Sequence, residues 1–150
     1  MQHIPILLPL AVGAILFAGT VLIHALPLGA TVNFVRHERQ LGRVGKAFRS
    51  DLAIVGRGIF YAAIAHLAEI ALWAGLFVLL GEFQDYGTAY YHSAMNYTTL
   101  GYGDIIMSPS WRLLGPMEAA TGMLMFGVST AMIFAIIQRL VEARFVDIKN

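Results

Sequence analysis

The run Thr98-Thr99-Leu100-Gly101-Tyr102-Gly103-Asp104 carries the most specific chemistry in the chain, and it is a chemistry of backbone rather than of side chains. A dehydrated cation is held by rings of carbonyl oxygens that replace its hydration shell. Aiming consecutive carbonyls at one axis requires a backbone that alternates between ordinary and left-handed conformations, which Gly101 and Gly103 permit cheaply. Thr99 adds a hydroxyl to its carbonyl at one end of the run. Asp104 puts a carboxylate at the other end, where it attracts cations. One chain supplies only one strand, so several chains must converge on an axis, and fourfold symmetry provides four oxygens per ring.

Such a strand needs a frame to hold it. Before it lies a helix-compatible stretch, Thr88 to Thr98, inside a segment, Gly81 to Pro109, too polar and too broken by glycine to cross a membrane. A half-length helix followed by an extended glycine-rich strand is a re-entrant shape, tolerated at membrane depth only where protein or a water-filled path surrounds it. A membrane is indicated by composition. Hydrophobic residues make up 58% and charged residues 13% of the 150, against roughly 25% charged in a soluble domain. The net charge of +1 gives nucleic acid little to hold, and no cysteine is present for disulfides or thiol chemistry.

Three apolar spans set the layout. Met1 to Val35 has no charged residue and no signal-peptide pattern, and reads as a retained helix over about Ile6 to Ala30, with Pro9 and Pro27 near its ends. The second runs from about Leu52 to Leu80 and the third from about Ser110 to Leu140. Arg36, Arg39, Arg43, Lys46, Arg49 and Arg57 crowd the connection between the first two, whereas Gly58 to Trp111 has neither Lys nor Arg. The positive-inside rule then makes that connection and the C-terminus cytoplasmic, and the N-terminus and the re-entrant segment external. The resulting division is an extra N-terminal helix at 1–35, a basic cytoplasmic loop at 36–51, a pore module at 52–140 and a tail at 141–150. The spacing of the basic residues imitates a voltage sensor, but intervening polar residues and glycines suit a loop or interfacial helix touching anionic lipid at Arg36, Arg39, Arg43, Lys46 and Arg49. Tyr86, Tyr90, Tyr91 and Trp111 fit an outer aromatic belt.

The string Thr-Thr-Leu-Gly-Tyr-Gly-Asp, on the outward side between two spans, resembles the selectivity filter of the potassium channel superfamily. The order outer helix, pore helix, filter, inner helix is that family's pore module, here with one extra N-terminal helix. The resemblance implies an all-α membrane protein with three transmembrane helices and a re-entrant pore helix, assembled as a homotetramer in a prokaryotic inner membrane. It implies K+ held at Thr99, Leu100, Gly101 and Tyr102, with Gly103 completing the strand and Asp104 at the outer mouth. The Tyr102 ring is expected to point away from the axis and brace the strand. Leu100 replaces the commoner Val or Ile. Met95 stands where the family's best-known bacterial two-helix form has a buried carboxylate, and His92 where it has the aromatic near the filter Asp. On the inner helix Gly122 and Gly127 are both candidates for a bend, close packing being the other reading of each. Thr130 and Phe134, on one face, are candidates for cavity wall and constriction.

Ionisable residues at membrane depth are functional candidates by default. Glu69 lies about 16 Å below the outer end of the second span and Glu118 about 12 Å into the third, at ~1.5 Å per residue. His66 shares a helix face with Glu69. These three form a candidate pH-sensing or coupling site, a proton- or metal-sensitive latch, against the reading that two carboxyls merely brace the pore helix. His24 reads as a packing or interface residue. The sequence thus predicts a K+-selective channel with K+ as permeant ion, no organic cofactor and no enzymatic activity. A poorly selective cation channel and a non-conducting membrane regulatory subunit are the rivals.

Overall fold

In lipid every backbone polar group has to be satisfied within the chain, and the apolar spans answer by folding as long helices. A computed structural model describes residues 6–45 and 47–148, with side chains as far as Phe145. Four helices follow one another: α1 (Leu7–Gln40), α2 (Phe48–Leu79), α3 (Tyr86–Tyr97) and α4 (Leu114–Ile148). No strand occurs among the described residues. Three of the helices are long and apolar enough to cross a membrane, and the chain is a membrane protein.

The helix ends differ from the sequence reading, and the reasons are local. The sequence ends the first helix near Ala30, but α1 continues through Pro27 to Gln40. Thr31 donates its hydroxyl to the Pro27 carbonyl at 2.8 Å, and the 34 residues rise about 50 Å, well beyond the ~30 Å of hydrocarbon. Arg36 and Arg39 therefore lie on a helix rather than in a loop, as do Arg49 and Asp51 on α2; Arg43 lies between them, and Lys46 lies outside the described residues. The expected 36–51 loop is thus two helix ends and a short connection. Gly42 ends α1 at φ 64°, with its own N–H on Arg39 and the next N–H on Glu38, which satisfies the last carbonyls. Residues of the expected tail from 141 to 148 continue α4, while Lys149 falls outside the described residues, as does the N-terminal tail before Ile6.

Helix α3 begins two residues earlier than the Thr88 read from sequence, because Asp85 caps it. The carboxylate accepts the Thr88 N–H at 2.8 Å and the Thr88 hydroxyl at 3.0 Å, and these bonds hold it below the ordinary carboxylate range. The half of the molecule around α3 packs Trp73, Ala74, Phe77, Phe83, Ala89, Met107 and Leu114, with Val12 and Leu16 of α1 against them. The opposite end packs Ile54, Ile136 and Leu140 with Phe34 and Val44. Helix α1 is no loose anchor. It packs on both α2 and α4, and the Trp73 indole N–H donates to Thr20 at 3.2 Å. Asp51 fastens the connection between α1 and α2, accepting the Gly45 N–H at 3.0 Å and pairing with Arg144 of α4 at 2.7 Å.

Candidate functional site

The strand between α3 and α4 has the alternation that inward carbonyls need. Thr99, Gly101 and Gly103 have φ of 62°, 55° and 73°, and no residue between them has positive φ. Two of the three are glycines, as the sequence leads one to expect. Thr99 is a β-branched residue in a region such residues avoid, a strain of about 1–3 kcal/mol of the kind that collects at functional sites. Gly101 ties the strand to the pore helix by donating its N–H to the Met95 carbonyl at 3.1 Å. Behind the strand lies a cavity of about 160 Å³ lined by His92, Met95, Asn96, Gly103 and Asp104. Met95 is among the residues that face that cavity. The strand itself, Thr98 to Asp104, is exposed along its length, and Tyr102 is 71% exposed. Any bracing of the Tyr102 ring has to come from another chain.

At the end of the strand the aromatic partner of Asp104 is Tyr91, not His92. The Tyr91 hydroxyl donates to Asp104 at 2.9 Å, and that bond raises the phenol above its ordinary value. His92 turns inward instead, against Phe77 and Phe83. Its Nδ1 lies 3.1 Å from the Ile105 carbonyl and its Nε2 2.9 Å from the Asn96 amide, so Nδ1 carries the proton and Nε2 accepts. Glu82 anchors the return from the strand to α4, accepting the Ser108 N–H and hydroxyl at 2.6 Å each.

Between α3 and the three long helices, five side chains close a ring. Tyr97 donates its hydroxyl proton to one oxygen of Glu69. The other oxygen lies 2.8 Å from His24 Nδ1. His24 Nε2 and His66 Nε2 each lie 3.1 Å from the Ser129 hydroxyl. His66 Nδ1 returns to the Tyr97 oxygen at 2.9 Å. The members come from all four helices: His24 from α1, His66 and Glu69 from α2, Tyr97 from α3 and Ser129 from α4.

Proton counting fixes the charge of this ring. Each bond needs one proton, and two hydroxyls and two neutral imidazoles bring four for five bonds. With Tyr97 donating to Glu69, His66 Nδ1–H donates to Tyr97, Ser129 donates to His66 and His24 Nε2–H donates to Ser129. His24 Nδ1 then faces Glu69, and a fifth proton shared by those two closes the ring. Its net charge is zero, which suits a carboxyl with no solvent exposure at membrane depth.

Glu118 uses the same pore helix one turn earlier. Its Oε1 meets the Ser93 hydroxyl, which also lies 2.9 Å from the Ile70 carbonyl. Ser93 has a single proton, so both contacts are hydrogen bonds only if Glu118 carries one too. Its Oε2 is buried with no partner, which argues the same way. Glu69 and Glu118 are thus not hydrogen-bonded to each other; each takes its own hydroxyl on α3, Tyr97 and Ser93.

A family model described as an ion channel matches residues 65–139, half of the chain. The chain belongs to that ion-channel family. The matched stretch runs from the middle of α2 through α3 and the strand to α4, a pore module of the two-transmembrane potassium-channel type, and α1 fits an extra helix ahead of it. Comparisons with curated proteins and with solved structures give no match.

In this channel α4 carries the remaining candidates. Gly122 is buried where α4 meets the end of α3, and a Cβ there would collide with the Tyr97 carbonyl oxygen. Gly127 has nothing within 4 Å of a Cβ. Close packing therefore accounts for Gly122 and not for Gly127. Thr130 and Phe134 are both exposed on α4, Phe134 at 60%. Sequence reasoning placed His66, Glu69 and Glu118 at depth but missed Ser93, Tyr97, Ser129 and the polar role of His24. Ser93 and Tyr97, four apart on a short helix between two carboxyl-bearing spans, were the available signal.

Proposed function

We propose that four copies of this chain form a potassium-selective channel that conducts K+ passively. The observation that carries the reading is the left-handed backbone at Thr99, Gly101 and Gly103, which is what four strands need to present successive carbonyl rings to one ion. Thr99, Leu100, Gly101 and Tyr102 supply the rings, Thr99 also its hydroxyl, and Asp104 the outer charge. The exposure of Leu100, Tyr102, Thr130 and Phe134 in the single chain supports convergence with neighbours. Thr130 lines the cavity and Phe134 the inner constriction, while Gly127, free of packing demands, is where α4 bends.

The chain sits in a prokaryotic inner membrane with its N-terminus outside and its C-terminus in the cytoplasm. Arg36, Arg39, Arg43 and Arg49 are exposed at the inner end and face anionic headgroups. An apolar groove of about 980 Å³ between α1 and α4 opens toward Arg36, Arg39 and Arg139 and suits the tails of such lipids.

The test is ion-specific stabilisation of the purified assembly. Native mass of four chains, with melting raised by millimolar K+ and not by equal Na+, is the expected result. A monomer, or equal shifts with the two ions, would remove the filter reading.

A further inference from the structure

The ring of His24, Glu69, Ser129, His66 and Tyr97 has a chemistry beyond bracing. We propose that it is a binding site for a zinc-class divalent metal ion, held by Nδ1 of His24, Nδ1 of His66 and a carboxylate oxygen of Glu69. The site lies apart from the K+ pathway and does not depend on that reading.

Three observations support it. First, one ligand atom from each of the three residues lies within 4.8 Å of the other two. His24 Nδ1 is 2.8 Å and His66 Nδ1 3.6 Å from the Glu69 oxygens. A tetrahedral ion with bonds near 2.0–2.1 Å separates its donors by about 3.3 Å; each nitrogen lies within about 0.5 Å of that separation from its Glu69 oxygen, and side-chain rotation brings the two imidazoles to a common centre. Two imidazoles and one carboxylate are also a donor set that zinc takes.

Second, the outer contacts are already in place, and that of His24 already has the required polarity. A metal-ligating imidazole donates its other N–H to a fixed acceptor, which sets its tautomer and orientation. Here both Nδ1 atoms face Glu69, and both Nε2 atoms converge on one hydroxyl, Ser129, at 3.1 Å each. That oxygen has two lone pairs and accepts both N–H groups. With metal bound, neither histidine needs a change of ring orientation; His66 changes tautomer, its Nδ1 proton being replaced by one on Nε2, and Ser129 turns from donor to acceptor toward it.

Third, the fourth position is furnished. The Tyr97 hydroxyl contacts both Glu69 and His66 Nδ1, so it stands beside the centre the three donors define. The ion takes the place of the proton that Glu69 and His24 otherwise share, and that proton leaves on binding. His66 keeps 12% side-chain exposure, the largest of the three ligands, and marks the way in. Glu118, one turn away, is engaged by Ser93 and stays outside the set. Metal at this place joins α1 and α2 to Tyr97, two residues before the filter threonine, with Ser129 of α4 in support.

The experiment is a titration of the purified, tag-free full chain in detergent with Co2+, whose visible band reports four-coordination and which Zn2+ displaces. The expected result is a band saturating at one ion per chain and bleached by Zn2+. His24→Gln and Glu69→Gln weaken it at least a hundredfold, and Ser129→Ala about 10–100-fold. His37→Gln, an exposed histidine on α1, leaves it unchanged. His66→Cys guards against misfolding as the cause of loss, because it retains a ligand and adds a near-ultraviolet thiolate band. No saturable band in the wild type, or a band that survives both His24→Gln and Glu69→Gln, overturns the proposal.

Discussion

The hydroxyl of Tyr97 donates to Glu69, joining the last turn of the pore helix to the middle of the outer helix across 28 residues of sequence. Two residues further on, Thr99 takes up a left-handed conformation that a threonine does not choose by itself. The bond and the strain belong together, since a strained strand persists only when its surroundings fix both ends. Removing the hydroxyl should therefore be costly. Tyr97→Phe leaves buried Glu69 and part-buried His66 short of a partner, and should lower stability by about 1–3 kcal/mol. Tyr86→Phe removes an exposed bond to the Ala71 carbonyl and should cost no more than about 0.5 kcal/mol. Thermal melts in detergent compare them, and equal losses would contradict the role given to Tyr97.

The two inner-helix glycines should part company on substitution. Gly122→Ala drives a methyl into the Tyr97 carbonyl, and rigid neighbours make such overpacking cost about 1–3 kcal/mol. Gly127→Ala meets open space and should leave stability unchanged or raise it by up to about 1 kcal/mol, the helix-propensity difference. Melting of the two variants reads the difference, and a larger loss at position 127 would contradict the packing described for α4.

The Asp85 cap gives a pH dependence of definite sign. Its folded pKa is depressed by the Thr88 N–H and hydroxyl, so its contribution is complete above the unfolded value near 3.9 and fades as pH falls through the lower folded one. Asp85→Ala should be less stable than wild type at pH 7, with the gap shrinking below about pH 4. A gap that widened on acidification would show that the carboxylate is not the capping group.

Much of this architecture is legible in the sequence, and the failures have physical causes. Gly101 and Gly103 could be assigned their conformations because positive φ is a glycine property, while Thr99 could not, because its strain is imposed by the fold. The apolar lengths placed the spans, but not their ends. Pro27 looks like a terminus in water, yet in lipid an interrupted helix would leave backbone groups unpaired, so α1 runs on to Gln40. His24 looked like a packing residue because its partners lie 45 and 105 positions away, at Glu69 and Ser129. Tyr91 rather than His92 reaches Asp104 for a similar reason. The register of a short helix decides which neighbour faces the strand, and composition says nothing about that register.

The central claim is that the strand from Thr99 to Asp104 selects K+, and ion flux from liposomes containing the purified chain tests it most directly. With K+ or Na+ as the only permeant ion, K+ flux should exceed Na+ flux many-fold and vanish in Gly101→Asp, which strains the φ 55° backbone and adds a carboxylate to the strand. Equal fluxes of the two ions, or K+ flux that survives the substitution, would contradict the account.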